Sequence, residues 1–98
     1  MSETWKRRDR FEIIMRILGL AKEGIHKTKL MFKANLQYKS LQRYLKLLEA
    51  RGLLKRHRSQ NSPLIIFQTT SKGLQVLNHY SAIKDLLTSK TTQNNSEE

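Results

Sequence analysis

The sequence has few or none of several residue types, and it has no long apolar run. Among 98 residues there is no cysteine, one proline and four glycines, and only eight residues are acidic. Without cysteine the chain can form no disulfide, no thiolate metal site and no cysteine nucleophile. No apolar run approaches the ~18–20 residues of a membrane-spanning helix, and the basic start leads into no signal-type apolar core. We therefore expect a soluble, cytoplasmic protein with no membrane partner.

Residue constellations that carry catalysis or bind metal are also missing. The histidines are His26, His57 and His79, which are too scattered for metal-ligand spacing. No pair of acidic residues is placed for general acid–base work, and there is no glycine-rich phosphate loop or nucleophile motif. We expect no enzymatic activity, no metal and no cofactor.

Basic residues are abundant and unevenly distributed. Nineteen lysines and arginines give a formal net charge of +11 and a pI of about 10.4. Residues 1–60 hold sixteen of these nineteen and five of the eight acidic residues, so they carry the whole net charge of +11. Residues 61–98 are neutral overall. A basic excess confined to one part of the chain indicates a polyanionic partner.

The length allows one domain with a small core, to which a second copy of the chain would add stability. We expect a basic, flexible N-terminal arm at residues 1–8, a folded domain at 9–87 and a disordered polar tail at 88–98.

The segment from Tyr38 to Leu48 predicts an amphipathic helix. Its apolar stripe comprises Tyr38, Leu41, Tyr44, Leu45 and Leu48. The opposite side carries Lys39, Gln42, Arg43 and Lys46. Arg and Lys can pair with guanine O6 and N7, and Gln with adenine N6 and N7, so this side suits a major-groove reader with Gln37 and Tyr38 at its groove-facing end. The alternative is an ordinary solvated helix face.

Two helices are predicted before this segment. The first begins near Asp9 and stops near Gly24, and its expected inward stripe is Phe11, Ile14, Met15, Leu18 and Ala21, widened by Ile13, Ile17 and Leu20. The second is short, with Thr28 as its N-cap and Asn35 in a left-handed turn after it. Short helix, tight turn and longer amphipathic helix form a helix-turn-helix.

The start of the second helix is a candidate phosphate site. Lys27, Thr28 and Lys29 lie there, where backbone N–H groups and side chains commonly hold phosphates. A cap flanked by solvated lysines is the alternative.

A β-hairpin is predicted directly after the third helix, which we expect to end at Gly52. LLKRHR and LIIFQTT read as strands, and SQNSP between them reads as a turn. Such a hairpin is the wing of a winged helix, and Lys55, Arg56, His57 and Arg58 make its first strand basic. Lys55, Arg56 and Arg58 are candidate DNA contacts; alternatively, the charge protects an edge strand from aggregation.

The last helix is predicted from about 70 to 87, with Thr70 as its cap. Val76, Tyr80, Ile83 and Leu87 recur at three- and four-residue spacing and are candidates for a homodimer interface. The expected fold is mainly α with a small β-hairpin, a winged helix-turn-helix with three helices, the hairpin and a fourth helix.

These segments together resemble a family. K-T-x-L-M-x-x-A-N-L-x-Y at 27–38, Y-L-x-x-L-x-x-x-G-L-L at 44–54 and F-x-x-T-x-K-G at 67–73 are similar to the small archaeal winged-helix DNA-binding proteins, which include dimeric ten-kilodalton chromatin proteins of crenarchaea and archaeal transcriptional regulators. The resemblance implies a third helix in the major groove, a wing on DNA and, in chromatin-type members, antiparallel pairing of the last helix. Gln37 stands where the family usually has a serine cap, and the last helix is short for a long coiled coil.

The leading hypothesis is a double-stranded DNA-binding, homodimeric transcriptional regulator of an archaeon or an archaeal virus or plasmid, associated with the nucleoid. A sequence-nonspecific architectural protein is the second hypothesis, and a winged helix that binds protein is the third. RNA binding is disfavoured because the chain has no exposed aromatic platform.

Overall fold

A computed structural model of the protein describes residues 9–88. It contains four helices, α1 (Arg10–Leu20), α2 (Lys27–Ala34), α3 (Tyr38–Ala50) and α4 (Ser71–Thr88), and three strands, β1 (Ile25–His26), β2 (Leu54–Arg58) and β3 (Ile65–Thr69). The strands form one antiparallel sheet in the order β1-β3-β2. The predicted basic arm at 1–8 lies outside the described residues, as does the predicted polar tail apart from Thr88.

Helix α1 begins where the sequence predicts. Asp9 has an extended backbone, and its Oδ1 accepts a hydrogen bond of 3.0 Å from the Phe11 N–H, which caps the helix. The helix ends at Leu20, earlier than the predicted stop, because a turn at 21–23 separates it from Gly24. Gly24 does adopt the left-handed conformation, with φ 94°.

The buried side of α1 differs from the predicted stripe. Ile13, Ile17, Leu18 and Ala21 are buried, whereas Ile14 and Met15 are half-buried and Phe11 is 64% exposed. Phe11 and Ile14 instead line an open groove with Tyr44 and Leu47 of α3. The helix is apolar on nearly every side, so its periodicity could not identify the side that its neighbours cover.

Helix α2 is capped by His26 and not by Thr28. The His26 side chain accepts a hydrogen bond from the Lys29 N–H through Nδ1 at 3.3 Å, and the helix starts at Lys27. Thr28 therefore lies inside the first turn. The predicted left-handed residue after the helix is confirmed, since Asn35 has φ 56° and ψ 51°.

Helix α3 packs through Leu41, Leu45 and Leu48, which are buried, and Tyr44 is half-buried. The predicted inward position of Tyr38 is wrong, because the residue starts the helix at the edge of the core and is 55% exposed. Gln37 precedes the helix without a side-chain capping bond. Gly52 follows α3 with φ 74°, as predicted for a helix stop.

The hairpin and α4 are anchored by two threonines. Thr69 Oγ1 donates to the Leu18 carbonyl and Thr70 Oγ1 to the Gly52 carbonyl, each at 2.7 Å. Thr70 Oγ1 also accepts from the Gly73 N–H at 3.0 Å and thereby caps α4 as predicted. Phe67 of β3 and Leu54 of β2 contribute to the core.

Helix α4 packs against the core in its first half and is exposed to solvent at its end. Val76 and Leu77 pack against the core, whereas Ile83, Leu86 and Leu87 are exposed, the last two by 83% and 79%. Within residues 9–88, no helix is long and apolar enough to cross a membrane, and no group of three His, Asp or Glu side chains could hold a metal.

Candidate nucleic-acid interface

The solvent side of α3 presents a row of cations. Lys39, Arg43 and Lys46 are exposed at three- and four-residue spacing, opposite the leucines that bury the other side of the helix. Gln42 is half-buried and lies at the flank of this row that faces the start of α2. The row can therefore approach a polyanion without breaking any contact of the core.

The start of α2 is connected to α3 by side chains. Lys27 Nζ donates to Gln42 Oε1 at 2.5 Å and lies 5.0 Å from the centroid of the Tyr38 ring. Thr28 and Lys29 are exposed in the first turn of α2, next to this contact. The structure thus places a predicted phosphate contact, Lys27, beside the predicted reader Gln42.

The wing, which consists of β2, β3 and the loop between them, carries the second group of cations. Lys55, Arg56, His57 and Arg58 are all exposed along β2. Among the described residues, neither Lys55 nor Arg58 has a side-chain hydrogen bond or an ion pair. Both side chains can therefore turn toward a phosphate.

Arg56 differs from its neighbours because it is already paired. Its Nε and Nη2 donate to the two carboxylate oxygens of Glu49 at 2.7 Å, and its guanidinium lies 5.1 Å from the Phe67 ring centroid. The hydrogen bond to Arg56 lowers the pKa of Glu49, and the same bond raises the pKa of Arg56. This bidentate ion pair joins the wing to the end of α3.

Sequence reasoning did not identify Glu49 as part of the surface. A signal was present, because Glu49 is the only acidic residue between Glu23 and Asp85. A single carboxylate within a long basic segment has many possible cationic partners. The sequence could not indicate which one it meets.

The candidate dimer residues lie on α4. Val76 and Tyr80 are half-buried within the domain, whereas Ile83 and Leu87 are exposed. The described part of the chain therefore leaves the distal end of α4 uncovered.

Comparisons with known proteins agree with this architecture. The chain matches the family described as winged helix-turn-helix over residues 7–88. It is 28% identical over 85 residues to an uncharacterized protein of Methanocaldococcus jannaschii, covering 86% of this chain and 81% of that protein.

Two solved structures are similar in fold. Sso10a-2, a DNA-binding protein from Sulfolobus solfataricus, superposes with a TM-score of 0.64 at 24% identity, covering 90% of this chain and all of that one. Streptococcus pneumoniae FabT, solved in complex with DNA, gives a TM-score of 0.71 at 16% identity, covering 92% of this chain and 68% of that one.

Proposed function

Since this chain belongs to the winged helix-turn-helix family, matched over residues 7–88, we propose that it binds double-stranded DNA as a homodimeric transcriptional regulator. Helix α3 enters the major groove, and the wing contacts the backbone or the minor groove. Proteins of this DNA-binding and regulator family are not enzymes, which confirms the expectation of a non-catalytic protein.

One observation carries the proposal: neighbouring elements joined by the Glu49–Arg56 ion pair carry exposed cations, which are Lys39, Arg43 and Lys46 on α3 and Lys55 and Arg58 on the wing. Lys39, Arg43 and Lys46 would approach base edges together with Gln42, and Gln37 and Tyr38 lie at the start of the same helix. The DNA binding of Sso10a-2 and the FabT–DNA complex support this use of the fold.

The phosphate contacts are proposed at two places. Lys27, Thr28 and Lys29 lie at the first turn of α2, and Lys55 and Arg58 lie on the wing. Arg56 was also expected to hold a phosphate, but its bond to Glu49 competes with that role. Contacts of this kind fix the position of the protein on the duplex and make binding sensitive to salt.

The homodimer is proposed through the α4 stripe formed by Val76, Tyr80, Ile83 and Leu87. Support comes from the exposure of Ile83 and Leu87, whose apolar surfaces a second copy of α4 would remove from water. A two-fold dimer would place its α3 helices about 34 Å apart, or a multiple of that, and would bind a palindromic site.

A second candidate function is sequence-nonspecific, architectural binding. It is favoured by the basic excess, because contacts from side chains such as Lys29, Lys55 and Arg58 to phosphates carry no sequence information. Competition between a selected duplex and a random duplex separates the two functions. A preference of less than about tenfold would favour the architectural role.

Mutation of Arg43 tests the placement of α3. We expect Arg43→Ala to reduce duplex affinity and to alter the base preference, measured by fluorescence anisotropy with selected and random duplexes. The control is Arg51→Ala, because Arg51 is exposed but follows the last residue of α3 and is not part of the proposed groove-facing row. An Arg43→Ala variant with unchanged affinity and unchanged preference would overturn the placement.

A further inference from the structure

Lys27 and Gln42 form one hydrogen-bonded unit at the edge of α3. Lys27 is the first residue of α2 and Gln42 lies in the second turn of α3, so the 2.5 Å bond between Nζ and Oε1 joins two helices. The Tyr38 ring lies one turn before Gln42 and 5.0 Å from the same ammonium. Cation–π attraction and the amide oxygen therefore hold Lys27 from two directions.

The chemistry of the ammonium determines how the Gln42 amide is turned. A lysine ammonium has three N–H donors and no acceptor, so only the carbonyl oxygen of the amide can face it. The amide NH₂ group must then point away from Lys27. Gln42 therefore presents its two NH₂ donors away from Lys27, with the remaining donors of Lys27 nearby, while one of the two lone pairs of Oε1 is taken by the ammonium.

This orientation changes which base Gln42 can read. A free glutamine reads adenine by accepting from N6 and donating to N7. In the Lys27–Gln42 unit, one lone pair of the Gln42 oxygen is taken by the ammonium, so an adenine N6 amino group could use only the second and would bring its partly positive hydrogens close to a positive charge. Guanine presents two acceptors, O6 and N7, in the same region of the major groove and meets two adjacent donors without such repulsion.

We propose that Lys27 is a specificity-determining residue, which turns Gln42 from a reader of adenine into a reader of guanine. The inference rests on the proposed binding of double-stranded DNA by α3. Gln42 would donate from its NH₂ group to guanine, and the Lys27 ammonium would supply the second donor. Lys27 would then contribute to base recognition, in addition to the phosphate contact proposed above.

The test begins by locating the base that Gln42 reads. Duplexes bound by the wild-type protein and by Gln42→Ala are selected from a random pool and sequenced. The position at which Gln42→Ala loses the base preference is the Gln42 position. We expect guanine there in the wild type, with a preference on the order of tenfold over adenine in titrations of duplexes that differ only at that base pair.

The same selection is then made with Lys27→Met. Without the ammonium, the amide oxygen of Gln42 is free to accept from adenine N6, so we expect the preference at this position to move from guanine to adenine. Lys29→Met is the matched control, since Lys29 lies exposed in the same turn of α2, whereas the hydrogen bond to Gln42 Oε1 comes from Lys27. It should weaken binding to all duplexes alike and keep guanine.

Four outcomes would overturn the inference. They are adenine at the Gln42 position in the wild type, the same guanine preference in Lys27→Met, an equal loss of preference in Lys29→Met, and duplex binding without any sequence preference. The last of these leaves DNA binding standing. A wild-type protein that binds no duplex instead contradicts the proposed function itself.

The test requires that each variant still folds, and this can be checked. A positive charge in the first turn of a helix opposes the helix dipole, so removal of Lys27 should not weaken α2. Thermal unfolding of each variant checks this. If Lys27→Met does not fold, Lys27→Ala decides the question, because it also removes the ammonium and leaves no donor for the Gln42 oxygen.

Discussion

Gly73 and Gly19 both lie in helices but have opposite surroundings. A Cβ at Gly73 would overlap the carbonyl oxygen of Leu53 and would lie 2.6 Å from Thr69 Cγ2, whereas a Cβ at Gly19 meets nothing within 4 Å. The Gly73 site is where α4 passes closest to the residues before the wing. The hydrogen of Gly73 is therefore required for this approach.

We expect Gly73→Ala to destabilise the domain by about 1–3 kcal/mol, because backbone atoms must move to admit the methyl group. Gly19→Ala should instead stabilise it by about 0.5–1 kcal/mol through helix propensity. Urea unfolding of both variants measures the two effects. Equal effects on the free energy of unfolding would contradict the close approach at Gly73.

Glu49 gives the stability of the domain a predictable dependence on pH. Its pKa is lowered mainly by the hydrogen bond from Arg56, against the effect of partial burial. A carboxyl with a lowered pKa in the folded state stabilises the fold at pH above its unfolded pKa, and this contribution is lost as the pH falls through the folded pKa.

We expect Glu49→Gln to cost about 0.5 kcal/mol at pH 7, a small value because Arg56 is more than half exposed. The difference from wild type should shrink toward zero as the pH falls through the lowered pKa of Glu49 in the folded state. Unfolding curves for both proteins from pH 7 to pH 2.5 provide the measurement. A difference that stays constant over this range would show that the ion pair is not its source.

At the scale of elements, the wing contains two kinds of cation. Lys55 and Arg58 have no side-chain partner among the described residues, whereas Arg56 is held by Glu49 and lies over Phe67. The free cations can neutralise phosphates. The held cation links the wing to the end of α3.

We expect Lys55→Gln and Arg58→Gln each to lower the salt slope of duplex binding by about 1. Arg56→Gln should change the slope less, because its guanidinium is already neutralised by Glu49. Affinities measured between 50 and 200 mM salt (roughly the range over which phosphate contacts are most visible) give the slopes. Equal losses for all three variants would mean that Arg56 leaves Glu49 and binds a phosphate.

The elements that the sequence predicted are those with local signals. Asp9 and Thr70 cap their helices, Asn35 adopts the left-handed turn, and the two hairpin strands lie on either side of a polar loop. Strand β1 was not predicted, because Ile25 and His26 are too few to show a period and pair with β3, far along the chain. His26 was not predicted as the N-cap of α2 for the same reason, since it belongs to β1.

The burial of individual apolar residues was less predictable. Phe11 and Tyr38 fall on the expected inward stripes but are exposed. Periodicity gives the side of a helix on which apolar residues gather, whereas burial depends on where neighbouring elements end. Phe11 and Tyr38 both lie in the first turn of their helices, beyond the reach of the core.

At the scale of the whole molecule, the proposed homodimer depends on the exposed end of α4. We expect Ile83→Ser with Leu87→Ser to convert a dimer into a monomer without a loss of monomer stability, because neither side chain is buried within the domain. Asn78→Ser, at an exposed polar position of α4, is the control. Sedimentation velocity checks the prediction, and a monomeric wild type at the concentrations that bind DNA would contradict it.

The sequence predicted the composition of the candidate interface better than its connections. The basic residues of α2, α3 and the wing were identified because charge and periodicity are visible along the chain. The Lys27–Gln42 and Glu49–Arg56 pairs were not identified, because each depends on the distance between side chains of different elements. Those two pairs are what distinguish individual roles within the basic surface.

Binding of duplex DNA by the basic face of α3 and the wing can be measured by titrating a labelled random-sequence duplex with the wild-type protein at several salt concentrations. We expect binding at moderate salt, with log affinity falling linearly as log salt rises and a slope that indicates several phosphate contacts. No detectable binding at moderate salt, or an affinity independent of salt, would contradict it.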